Sequence, residues 1–117
     1  FGKITTAKNG VVYKATMACV EAPNAGEADL DLWANTANNI GEGANVNTGT
    51  RSNIIDANGD WTVGAFKEAM SFTNGLSDYY LYLAVGQDSP ANSTGGVYDG
   101  GKFIITFYGS DAGDFGA

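Results

Sequence analysis

Hydrophobic and polar positions alternate with a period of two over several short stretches, each bounded by Gly, Asn, Asp, Ser or Pro. This is the pattern of half-buried β-strands. From Val11 to Glu21, strict alternation puts Val11, Tyr13, Ala15, Met17 and Cys19 on one face and Val12, Lys14, Thr16, Ala18 and Val20 on the other. The first of these faces is the predicted core side. Ala28–Ala34 sets Leu30, Leu32 and Ala34 against Asp29, Asp31 and Trp33, a half-buried antiparallel strand whose acids face water. A short strand is predicted around Ile54 and Ile55, and Trp61, Val63 and Ala65 alternate with Thr62, Gly64 and Phe66. Gly64–Phe72 is ambiguous, because Phe66, Ala69 and Met70 have helical spacing and Lys67-Glu68-Ala69-Met70 has good helix propensity. Gly64 is a poor helix start and the flanking strands are close, so strand or irregular structure with a short helical turn is preferred. Tyr79–Val85 and Lys102–Tyr108 are apolar or aromatic on both faces. They are predicted at the centre of the fold or at a subunit interface.

The breaks between these runs are turn chemistry. Asn9-Gly10 predicts a tight hairpin. Ala22–Glu27, with Pro23 and Gly26, reads as a loop, and Ala57-Asn58-Gly59-Asp60 as a turn. Thr36–Thr50 is a connection of about fifteen residues, a length usual for functional or mobile loops. The expected architecture is all-β: an antiparallel β-sandwich or jelly roll of about seven to eight strands. It forms a single domain over residues 1–117, with an N-terminal arm at 1–9, anchored by Ile4, and a small-residue tail at 110–117.

Composition narrows the functional classes. Charged residues are 16% of the chain, against about 25% in typical domains, and 17 glycines supply turns. The formal charge is −7, and the six basic residues Lys3, Lys8, Lys14, Arg51, Lys67 and Lys102 are scattered. No basic patch offsets phosphates, which argues against nucleic acid and against anionic membrane as partners. No run approaches the ~18 apolar residues of a transmembrane helix. A start at Phe1 is expected of a processed chain, such as a secreted or maturing virion protein, or of a segment of a longer product. Cys19 stands alone in an apolar run and is expected to be a small buried side chain.

The chain holds no histidine, which removes Ser-His-Asp and Cys-His catalysis and His-based zinc sites. Asp29 and Asp31 share a strand face but read as solvating residues rather than a glycosidase pair. The expectation is a non-enzyme without cofactor or metal. Asp56-Ala57-Asn58-Gly59-Asp60 opens like a calcium loop, yet the sixth position is Trp61 and the twelfth Lys67 where an EF-hand needs Gly and Glu. An Asx-rich turn is expected, with weak calcium binding by these oxygens left open. Asn92-Ser93-Thr94 matches a glycosylation sequon. Trp33, Trp61, Tyr80 and Tyr82 form either a sugar-binding platform or ordinary core and interface packing. The second is preferred, because Tyr80 and Tyr82 face away from Leu81 and should pack a second layer or a partner. With Phe1 of the arm, these four are the candidate interface residues.

The run Asp60-Trp61-Thr62-Val63-Gly64 through Tyr80–Gly86, then Gly95–Gly109 with its Tyr98-Asp99-Gly100-Gly101-Lys102-Phe103 turn and strand, resembles small β-rich virion structural proteins of marine tailed phages. The likeness covers about half the chain and leaves Ala22–Thr50 unmatched. It implies capsid decoration or a head-fibre domain with a jelly-roll or Ig-like sandwich. It also implies localisation in the virion and a homo-oligomer whose partners are copies of itself and a capsid or other virion protein. The alternatives are a carbohydrate-binding β-sandwich and an extracellular filament subunit whose Phe1–Asn9 adds as a strand to a neighbour's sheet.

Overall fold

The computed structural model describes residues 1–40, 49–85 and 96–111. The sequon, the middle of the Thr36–Thr50 connection and most of the 110–117 tail lie outside the described residues. Seven strands form two antiparallel sheets, the all-β sandwich that the alternation predicts. They are β1 (Gly2–Lys3), β2 (Val11–Gly26), β3 (Leu30–Asn35), β4 (Arg51–Ile55), β5 (Phe66–Met70), β6 (Tyr80–Val85) and β7 (Gly96–Ser110). One sheet has the order β1-β6-β3-β4 and the other β5-β2-β7. Between them lies one core holding Val12, Ala15, Met17 and Cys19 from β2, Leu30, Leu32 and Ala34 from β3, Ile54 and Ile55 from β4, and Leu81 and Val85 from β6. Phe103, Ile105 and Phe107 pack against it from β7, and Trp61 meets Phe103 edge-on with ring centroids 5.2 Å apart.

Several local expectations are corrected. Val11 and Tyr13 are exposed, and Val12 is in the core instead. A register shift between Val12 and Lys14 inserts one residue, so the strand changes face there and the predicted core side holds only from Ala15 onward. Asn9-Gly10 closes a helix rather than a hairpin. Thr6–Asn9 is one helical turn (α1) capped by Thr5, whose side chain accepts the Lys8 N–H. Gly10 ends it at φ 66 and donates its N–H to the Thr6 carbonyl, a left-handed stop that glycine takes without Cβ strain. Ala22–Gly26 belongs to β2, opposite β7, and its three further register shifts absorb Pro23. Residues 61–65 are not a strand: the Trp61 N–H bonds the Ala28 carbonyl and the Gly64 N–H the Cys19 carbonyl. Asp31 does not face water but is buried on β3.

The two strands apolar on both faces take different places. β6 is internal, between β1 and β3, whereas among the described residues β7 pairs with β2 alone and forms a sheet edge. The N-terminal arm is engaged within its own chain. β1 pairs with β6, and the Phe1 ammonium donates to the Leu81 carbonyl at 2.6 Å.

Candidate functional site

The outer faces of the two sheets differ. On the four-stranded sheet the outward positions of β3 and β6 are covered by the chain that leaves β3. Tyr82 donates its hydroxyl to the Ala37 carbonyl at 2.5 Å, and Asn35 Oδ1 accepts the Ala37 N–H at 2.8 Å. Ile40 and Tyr82 pack on Trp33 and Ala84. Here an extra layer removes a strand face from solvent.

Nothing among the described residues plays that role on the three-stranded sheet. β2 runs down its middle, and directly opposite residues share a face. Lys14 lies between Met70 and Tyr108, Thr16 between Glu68 and Thr106, and Ala18 between Phe66 and Ile104. Phe66 and Met70 are each 59% exposed and Ile104 57%, with Val20 and Tyr108 also exposed. The charged groups at the centre of this face are paired. Lys14 Nζ sits 3.3 Å from the Glu68 carboxylate and 5.2 Å from the centre of the Tyr108 ring. The result is an exposed sheet face on which Phe66, Ala18 and Ile104 lie beside a polar row of Glu68, Thr16 and Thr106, with Met70 and Tyr108 beyond it and one neutralised ion pair among them, on a chain of net charge −7. Large apolar side chains exposed together on one sheet face mark interaction sites, because a monomer gains nothing by exposing them.

The five aromatic residues predicted as an interface do not converge. Trp61 is 3% exposed and is a core residue whose Nε1 donates to the Leu30 carbonyl at 2.8 Å. Its burial removes it from any interface or sugar platform. Trp33, 8% exposed, lies opposite Tyr82 under the covering segment. Tyr80 is half-buried with Lys3 Nζ 5.2 Å from its ring centre. Phe1 alone of the five presents most of its side chain to solvent, at 67%. The residues that do form the bare face were missed. Phe66 and Met70 fall in the segment whose helical spacing competes with the preferred strand, and Ile104 and Tyr108 in the run placed at the centre of the fold or at a subunit interface. The usable signal was the apolar outer register of Lys102–Tyr108, which fits a free face as well as a buried one.

The acidic segment makes a turn. Asp56 Oδ1 accepts the Asn58 N–H at 2.9 Å, as an Asx turn requires. Asp31 accepts the Ala57 N–H at 2.8 Å and the Asn53 amide at 3.2 Å. Burial holds the carboxyls of Asp29 and Asp31 above the usual range, with Asp56 adding to both. Among the described residues no three His, Cys, Asp or Glu side chains are grouped to hold a metal ion. Cys19 is buried, and burial pushes its thiol up, away from the reactive thiolate. Among the described residues no helix is long and apolar enough to cross a membrane. No protein-family model, curated protein sequence or solved structure matches the chain.

Proposed function

We propose that this chain is a non-enzymatic structural subunit of a phage particle, a capsid-decorating or capsid-associated protein that acts by protein–protein assembly. The observation that carries the assembly reading is the bare apolar face of the three-stranded sheet, centred on Phe66, Met70 and Ile104. A sandwich that covers one outer sheet face with its own chain and leaves the other apolar has kept the second for a partner. The virion setting is supported by the phage-like run Gly95–Gly109, most of which forms β7 and contributes Ile104 and Tyr108 to that face.

The test is quantitative mass spectrometry of purified particles. The protein should be present at a fixed stoichiometry related to the capsid symmetry. Its absence from particles overturns the proposal.

A further inference from the structure

Four strand edges bound the two sheets, and three are blunted. β1 is two residues long, β4 is five residues starting at Arg51, and β5 is five residues with Lys67 and Glu68 at its middle. Short and charged edges resist pairing with another chain. β7 has neither protection. It is 15 residues long and, among the described residues, pairs with β2 alone. From Phe103 to Ser110 it carries no charge and no proline, in a chain with 13 acidic residues. Two copies of so acidic a protein repel one another over most of their surface, and this edge is where they can approach without opposing acids.

We infer that two copies of this chain join edge to edge along β7, antiparallel about a two-fold axis at Ile105, to make one continuous six-stranded sheet. This rests on the assembly reading and names the partner at that surface. An edge meeting its own copy is self-complementary by symmetry. The axis at Ile105 sets Phe103 opposite Phe107 on the inner side, with Ile105 facing itself. On the outer side it sets Ile104 opposite Thr106 and Lys102 opposite Tyr108. Aromatic pairs and a cation beside a ring are favourable cross-strand neighbours, and within Lys102–Tyr108 no like charges meet, Asp99 and Asp111 coming opposite one another only beyond the ends of that segment. Phe103, Ile105 and Phe107 are only half-buried in the single chain, so each has surface left to cover. Seven paired residues are well below the roughly 20–30 a side of a standard interface, so the edge join makes a weak dimer. The join would bring the two bare faces into one plane and double the apolar field offered to a third body.

The experiment combines sedimentation equilibrium of the wild-type chain with oxidative cross-linking of Ile104→Cys and Thr106→Cys. Both positions are exposed, and circular dichroism checks that each variant keeps its β-spectrum. Cys19 is buried and does not compete. The expected results are a doubled mass at high concentration, and a disulfide dimer when the two variants are mixed. Each variant alone should cross-link far less, because residues opposite one another fall within disulfide reach whereas like residues lie about 7–8 Å apart on the diagonal. A monomer with no cross-link in the mixture overturns the edge join. If that monomer still binds purified capsids, the assembly reading stands without it, and if it does not, both fall. A dimer that cross-links through Phe66→Cys and not through the mixed β7 pair also overturns the edge join, because the copies then meet face to face.

Discussion

Asp31 is buried on the outer side of β3 with both oxygens accepting hydrogen bonds, while Asp29 Oδ1 is buried with no partner among the described residues. Both carboxyls are held above the ordinary 3.8, chiefly by loss of water and further by Asp56. A carboxyl raised in the folded chain binds its proton more tightly there than in the unfolded chain. Its contribution to stability is full below 3.8, is lost as pH rises through the raised value, and is flat above it. The melting temperature should therefore climb as the protein is acidified from pH 7 towards the ordinary carboxylate range. Asp29→Asn removes the unpaired charge, so it should raise the melting temperature at pH 7 and flatten the slope. An unchanged slope in calorimetry would refute this assignment. A second residue-scale feature is the left-handed run Asn74, Gly75 and Leu76, with φ of 52, 57 and 58. Such backbone costs L-residues about 1–2 kcal/mol each. It is offset by Leu76, which is fully buried. Leu76→Ala should lose about 2–5 kcal/mol in urea unfolding. Gly75→Ala should lose more than about 1 kcal/mol, since a Cβ there meets Val11 Cγ1 at 2.8 Å and the Val12 nitrogen at 3.0 Å.

At the scale of the element, Tyr82 is the tie between β6 and the segment that covers it. Replacing it by Ala removes the hydroxyl bond to Ala37 and one wall of the Trp33 site. In a Trp61→Phe background, where Trp33 is the only indole, Tyr82→Ala should shift the emission to the red as water reaches the ring. Tyr82→Phe, which keeps the wall, should shift it much less. Equal spectra for the two variants would mean that the tyrosine ring does not cover Trp33. Strand identity was legible from alternation, but strand faces were not. One inserted residue between Val12 and Lys14 inverts every side chain before it, and no residue type announces the bulge. Phe66–Met70 is ambiguous in sequence because a spacing of four satisfies both the helix period and the strand period, and the preferred strand is what forms. For Lys102–Tyr108 the pattern admits both the centre of the fold and an interface, for a different reason. Apolarity on both faces arises from burial between layers, as in β6, and equally from a bare face at a sheet edge. A linear pattern does not distinguish them. The place of Trp61 was not legible, because it lies outside any strand and is directed inward by its bonds to Ala28 and Leu30, which are distant in sequence.

For the whole molecule, the decisive contrast is between a core that is closed and a sheet face that is not. Phe66, Met70 and Ile104 are each more than half exposed, so replacing them with Ser removes little buried surface. Surface changes away from caps and buried networks generally stay within about 0.5 kcal/mol apiece. The triple variant Phe66→Ser, Met70→Ser, Ile104→Ser should therefore unfold close to the wild-type midpoint. If the face is the docking surface, the same variant should lose most of its binding to purified capsids. The wild-type interaction should also persist at high salt, because Phe66, Met70 and Ile104 carry it and the Lys14–Glu68 pair among them is already neutralised. The two measurements separate the alternatives. A large fall in the unfolding midpoint would make these residues part of the core rather than a free face. A normal midpoint with undiminished binding would move the partner to another surface. Binding that collapses in salt would mean that the 13 acidic residues, and not the sheet face, hold the partner.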